Sequence, residues 1–412
     1  MRAKWGRVGL WGLAGAVLGG LVWDRLAGFW VLWFVPLAWG ATGGAGEAGA
    51  FMAGYYGTAL VGSLAALDLF YNRLAAVAGW SVCTLLLTAP WALARWNRPG
   101  DRYPALRYLG ALVVVSLPPL GVLGMASPWC AATASFPGLG LAGLALALGA
   151  SAVLVRFGRG LRPPGQRAPC PTRAVVSGIS VLTLLLAGAL IPTPIRSWPG
   201  RMEALTTHDR ESARAPSPLR VLRQNARLIH RVLARIRHVA PRTTFVLPED
   251  AAVHWSPVTA LLWWPAALAA YRHHDTVMLG VTARFHGERQ KRDGLLLMGR
   301  HAGPITARQP MPVTEWNPWA SPGVKAHWWR LGATTALGYP AAVAICYEQL
   351  LVWPVAEAFM GHPAPAVLIG ASNHWWVRAG SLDAGEGRMQ ARMLTAWGRL
   401  YGVPVILADN RA

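Results

Sequence analysis

The chemistry this sequence can do begins at a cysteine. The stretch "YPAAVAICYEQLLVWP" (339–354) is apolar up to Cys346 and then turns at once to Tyr347 and Glu348. A thiolate attacks carbonyl carbon well, but a free thiol is mostly protonated at neutral pH, so a neighbouring carboxylate base is needed. "TTFVLPE" (243–249) offers one, Glu249, at the end of another short apolar run. A nearby cation would hold the thiolate and then the oxyanion of a tetrahedral intermediate. Arg308, in "ITARQPMPVTEWNPW", is the candidate. Taken singly, a cysteine in an apolar run is more often a small core residue, and a Pro-Glu dipeptide carries no specificity. Order and context give the three residues their weight.

In layered α/β folds reactive groups gather where strands end and loops begin. Residues 196–412 have that pattern. Short apolar runs at 243–249, 275–283, 294–299, 341–346, 364–373 and 403–410 read as buried strands, and 256–272, 348–360 and 386–401 read as helices. "RVLRQNARLIHRVLARIRHVA" reads as an amphipathic helix, with Leu222, Ile229, Val232 and Ile236 on one face and Arg227, Arg231 and Arg235 on another. It is expected to be an outer helix of this domain; resting on anionic headgroups is the alternative.

The preceding half is different. The chain is 54% hydrophobic and 14% charged, which points to a membrane protein carrying a soluble part. Residues 1–195 are expected to form about seven spans, near Val8–Trp23, Ala27–Ala41, Ala48–Phe70, Leu74–Leu93, Tyr108–Met125, Leu139–Val155 and Ala174–Ile191. Further spans follow the first, so it is not read as a cleavable signal peptide. Arg2, Lys4 and Arg7, then Arg95, Arg98, Arg102 and Arg107, then Arg156, Arg159, Arg162, Arg167 and Arg173 fall in alternate loops. The positive-inside rule makes those loops cytoplasmic and places residues 196–412 on the outer, periplasmic face of a bacterial inner membrane.

The net charge of +21 is read as arginines in cytoplasmic loops and at headgroup contacts of a membrane protein. No nucleic-acid-binding motif accompanies them, so direct nucleic-acid binding is not expected. The four cysteines, Cys83, Cys130, Cys170 and Cys346, show no paired spacing. Neither a metal site nor a disulfide framework is read from them, and no cofactor is implied.

Glu249, a basic residue and then Cys346 in "ICYE" resemble, in order and setting, the Glu-Lys-Cys triad of the nitrilase (carbon–nitrogen hydrolase) superfamily. "AICYEQLLVWP" and "IGASNHWW" are similar to segments of its membrane branch, the apolipoprotein N-acyltransferases, as is "SPWCAATASFPGLGLAGL" (127–144). "RQPMPVTEWNPW", "ICYEQLLVWP" and "NHWW" together resemble the TraB branch of Ti-type conjugative plasmids. The resemblance implies a polytopic helical membrane domain followed by a nitrilase-like αββα sandwich. It makes Glu249 the general base and Cys346 the nucleophile. Glu315 and Glu348 become supporting carboxylates, and Tyr347, Asn373 and Trp376 shape the pocket. A membrane lipid would suit as acyl donor, and conjugative-transfer or envelope proteins as partners.

Two departures matter. Only Lys4, Lys291 and Lys325 are lysines, and the lysine position is best matched by Arg308, a bulkier, forked and permanently charged donor. The sequence also stops at Ala412, where the acyltransferases continue, so a missing sandwich edge is expected. The reading that follows is an inner-membrane protein of conjugative transfer or envelope assembly with thiol-dependent acyl transfer or amide hydrolysis. Its alternatives are a catalytically degenerate scaffold of the transfer apparatus and an apolipoprotein N-acyltransferase.

Overall fold

The computed structural model describes residues 2–23, 28–96, 103–162, 172–198, 200–208, 217–252, 255–284, 291–317, 319, 324–374 and 384–411. Two compact units divide the chain. One comprises Met1–Ile195 with Leu350–Trp353 and Arg399–Gly402, and the other the remaining residues.

The first unit is helical. Among the described residues Trp5–Trp23, Arg73–Ala94 and Gly140–Gly160 are long and apolar enough to cross a membrane, and Ala45–Ala59 with Val61–Phe70, bent by 53°, makes a fourth if taken as one span. Three or four such helices stand where seven were expected, because Phe29–Ala41, Pro104–Ser116 and Val175–Leu190 are shorter. Pro104–Ser116 stops early for a local reason. Leu117 precedes Pro118, which disfavours helical backbone, and it is extended at ψ 149°. Glycines let the first helix pack tightly: a Cβ on Gly15 would lie 1.8 Å from the Phe51 carbonyl oxygen, and one on Gly54 2.0 Å from that of Gly12. Arg95, expected in a loop, is buried. It donates to the carbonyls of Gly40 (3.2 Å) and Thr42 (2.7 Å) and stacks 5.0 Å over the Trp39 ring.

The second unit holds two sheets. β1 (Arg201–Ala204), β2 (Thr243–Val246) and β3 (Thr276–Ala283) are parallel, and β4 (Arg292–Gly299) and β5 (Gly303–Thr306) extend the sheet antiparallel in the order β1-β2-β3-β4-β5. β6 (Ala341–Ile345), β7 (Val367–His374) and β8 (Val405–Arg411) form a parallel sheet of three. β2, β6 and β7 are buried throughout, as near-continuous apolar runs in covered parallel strands should be.

Alternation along each strand sends side chains to two faces. Val246, Met278, Leu295 and Ile305 from the first sheet share one core with Val343, Ile345, Val367 and Ile369 from the second. On the other face of the first sheet, Phe245, Val277, Leu279 and Val281 pack against Leu228, Val232 and Ile236 of helix Pro218–His238 and Trp263 of helix Pro257–Arg272. Against the second sheet, Leu394 of helix Ala384–Tyr401 lies so close to Gly370 that a Cβ there would meet it at 2.4 Å. The layers therefore run helix, sheet, sheet, helix, the arrangement the sequence implied. The chain beyond β1 links the two sheets: Thr207 donates to the Asp409 carbonyl (3.1 Å) and accepts from the Arg411 N–H (2.8 Å).

Helix Pro218–His238 lies over the first sheet with Ile229, Val232 and Ile236 on its inner face as expected, but Leu222 does not join them. Leu222 is 41% exposed, while Gln224 and Asn225 are buried. Asn225 earns that place by its hydrogen bonds, accepting from the indole N–H of the buried Trp263 (2.7 Å) and donating to the Val221 carbonyl (2.9 Å). Asn225→Ala orphans a buried indole donor and should destabilise the protein by about 1–3 kcal/mol. Leu222→Ala should stay within about 0.5 kcal/mol of the parent. Unfolding midpoints of the full chain in detergent distinguish the two, and equal shifts would refute this register.

Candidate active site

Three strand ends converge. The chain leaving β2 passes through Leu247 and Pro248 to Glu249, which is 5% exposed. It crosses β3 at Gly280, where a Cβ would stand 2.0 Å from the Pro248 carbonyl oxygen and 2.6 Å from the Glu249 Cα. Only a residue without a side chain lets the segment carrying Glu249 lie that close. From β6 the chain enters a 3-10 turn, Cys346–Leu350. Cys346 opens it at φ +41°, a left-handed value that costs a non-glycine residue about 1–3 kcal/mol and recurs at functional sites. β7 supplies Asn373, whose backbone N–H donates to the Cys346 sulfur. The Asn373 side chain is fixed in turn, its Oδ1 accepting from Asn410 Nδ2 at 2.8 Å.

Glu348 locks the turn. Its Oε2 accepts from the Ile345 N–H (2.8 Å), and its Oε1 accepts from the N–H groups of Gln309 (2.9 Å) and Arg308. Glu348 is 1% exposed and Tyr347 beside it 4%.

The thiol of Cys346 is hydrogen-bonded to the Glu249 carboxyl group. Around Glu249 the structure gathers more acids than the sequence suggested. Glu249, Asp293 and Glu315 each offer a carboxylate oxygen, all within 4.8 Å of one another. Glu315 is steadied by the Met311 N–H (2.9 Å). Ionised together, any two would repel by about 3.5 kcal/mol or more at an effective dielectric near 20. Burial raises the pKa of Glu249, and the charges of Asp293 and Glu315 raise it further. Asp293 is raised by burial, then by Glu315 and Asp250, and Glu315 by burial. Asp250 is pushed up to about 7, by burial and then Glu315. The Cys346 thiol is likewise held well above its ordinary value, by burial first and then by Glu249 and Glu315.

The structure thus brings Glu249, Cys346 and Glu315 together and sets Glu348, Tyr347 and Asn373 around them. Arg308 it uses differently. The guanidinium donates to the carbonyls of Arg330 (3.1 Å) and Gly332 (2.9 Å), its Nε lies 3.7 Å from Glu357 Oε2, and it lines a cavity of about 160 Å³ with Arg330 and Thr334. Its link to the thiol turn runs through its backbone N–H on Glu348, and its charge acts on Glu348 and Glu357. Lys291 is exposed, and its charge reaches Asp250. Trp376 lies outside the described residues. Asp293 is the residue that sequence reasoning missed. Its one signal was an acid at the head of the apolar strand "RDGLLLMG", buried there at 2% exposure.

No family model matches the chain. Among solved structures it is similar to an amidase from Nesterenkonia sp. (13% identity, 53% of this chain and 79% of that one, TM-score 0.35). It is also similar to a carbon–nitrogen hydrolase from Helicobacter pylori G27 (11% identity, 51% and 72%, TM-score 0.33). Among curated proteins it is 28% identical over 403 residues to conjugal transfer protein TraB of Agrobacterium fabrum, covering 91% of this chain and 86% of that one. It is 28% identical over 330 residues to probable conjugal transfer protein TraB of Sinorhizobium fredii, covering 76% and 75%. Sequence similarity on that scale makes the chain a distant homologue of conjugal transfer protein TraB.

Proposed function

We propose that the chain is a membrane-embedded protein of conjugative DNA transfer whose α/β unit performs thiol-dependent acyl chemistry on an amide or ester. The unit faces the periplasm in this reading, which rests on the arginine-rich alternate loops. One observation carries the chemistry: Cys346, at φ +41° on a strand end, is hydrogen-bonded through its thiol to the buried Glu249.

Glu249 takes the thiol proton as the sulfur attacks the carbonyl carbon, forming the C–S bond. The C–N or C–O bond to the leaving group then breaks, and Glu249 returns the proton to the departing amine or alcohol. An incoming amine or water, deprotonated by Glu249, cleaves the thioester and restores the thiol. Arg308 enters as a brace for the turn, through Glu348, because its guanidinium is committed to Arg330, Gly332 and Glu357. A scaffold without chemistry is the second reading. It is favoured by the lack, among the described residues, of any cationic side chain ion-paired to Glu249 or Glu315.

The two readings part on DNA-transfer frequency in the native host, with Cys346→Ala beside a full deletion at matched membrane levels. Thiol chemistry requires both to abolish transfer, with Glu249→Gln reducing it by about 10²-fold or more. Transfer that survives Cys346→Ala but not the deletion would establish the scaffold.

The acids predict a pH profile. A thiol held above its ordinary pKa is neutral at pH 7, and below that pKa its thiolate fraction grows about tenfold per pH unit. With chelator present, alkylation of Cys346 by iodoacetamide should therefore climb without a plateau from pH 7 through about pH 9. Mass-spectrometric labelling rates read it directly. A plateau by pH 7 would reveal a paired thiolate and sink the electrostatic account.

A further inference from the structure

The acid cluster asks for a counter-charge that the described side chains do not supply. Glu249, Asp293 and Glu315 converge to within 4.8 Å from three separate places: the end of β2, the head of β4, and the loop at 311–316. Asp293, which faces the other two, is 2% exposed, yet its Oδ1 is buried without a hydrogen-bond partner. Buried carboxylate oxygens are ordinarily satisfied by donors or by a metal ion. Arg308 is engaged elsewhere, Lys291 is exposed and acts on Asp250, and no ion pair among the described residues involves any of the three.

We propose that Glu249, Asp293 and Glu315 bind a divalent cation of the oxygen-preferring class, Mg²⁺ or Mn²⁺, beside Cys346. Each carboxylate supplies an oxygen, the ligand type hard cations select, and water completes the shell. The orphaned Oδ1 of Asp293 thereby gains a partner. The Met311 N–H on Glu315 Oε2 (2.9 Å) orients one ligand from behind, as supporting hydrogen bonds do at metal sites. The cation also offsets the mutual repulsion of the acids and sets a positive charge next to the thiol. Cysteine spacing gave no hint of this site because its ligands are carboxylates scattered over some 66 positions of sequence, from 249 to 315.

This inference goes beyond the thiol reading and stands whether or not Cys346 reacts. The test is equilibrium binding of Mn²⁺ alone to the chelator-stripped full chain in detergent, followed by the paramagnetic resonance signal of free Mn²⁺. One Mn²⁺ should bind per chain. Asp293→Asn and Glu315→Gln should each weaken it by about tenfold or more. Cys346→Ala removes the thiol chemistry outright, so one Mn²⁺ still bound by that variant separates the two proposals. Cooperative melting of every variant verifies its fold. The proposal is overturned if folded wild type takes up no stoichiometric Mn²⁺. It is equally overturned if both folded carboxylate variants bind as wild type does, or if Cys346→Ala alone abolishes binding.

Discussion

Glu348 accepts three backbone hydrogen bonds in the interior of the α/β unit, from Arg308, Gln309 and Ile345, and the geometry around Cys346 depends on that arrangement. Two of its donors lie on the segment leaving β5 and the third closes β6, so one carboxylate ties the two sheets together beside the thiol. Desolvation raises its pKa, while Arg308 and the backbone donors pull the other way. Bonds from N–H groups to a charged acceptor are among the stronger ones, and losing the acceptor would leave three buried donors unsatisfied. The strained backbone at Cys346 persists because the turn is held at both ends, by Glu348 and by the Asn373 N–H on the sulfur.

The neighbouring acids face the same desolvation with a different outcome. Glu348 is surrounded by donors; Glu249, Asp293 and Glu315 are surrounded largely by one another. The first arrangement builds a rigid turn. The second concentrates acidic groups at one point, which is costly for folding. Glu348, Glu249 and Asp293 sit within a few residues of strand ends, where the layered fold leaves room for polar groups that its core does not tolerate.

Much of this was legible in the sequence, and the failures have particular causes. Cys346 and Glu249 stood out because each ends an apolar run, and strand ends converge in layered folds. Glu315 was carried by its motif. Asp293 was not legible, since an acid at a strand head looks like any solvated turn residue until the fold buries it beside Glu249 and Glu315. Arg308 was expected to face the thiol, but a pattern of residue types does not say which way a guanidinium turns. Here the carbonyls of Arg330 and Gly332 capture it. Hydropathy likewise marked Tyr108–Met125 as one span, whereas Pro118 and Pro119 end the helix at Ser116. Apolar composition survives a proline pair; helical backbone does not.

The crowding of acids bears on the proposed thiol chemistry as well as on stability. An ordinary carboxylate, with a pKa near 4, is a weak base toward a thiol whose own value is near 8.5. With no cation bound, burial and the charges of Asp293 and Glu315 raise Glu249, which would make it a stronger base in the proposed reaction. The same charges raise Cys346, so crowding alone would not narrow the gap. What acts selectively is the Asn373 N–H, which donates to the sulfur and favours the thiolate. The net shift of both groups is upward, with the Asn373 hydrogen bond opposing it at the sulfur. In the proposed reaction the proton would therefore pass to Glu249 as the sulfur attacks, without a free thiolate having to accumulate in an acidic pocket.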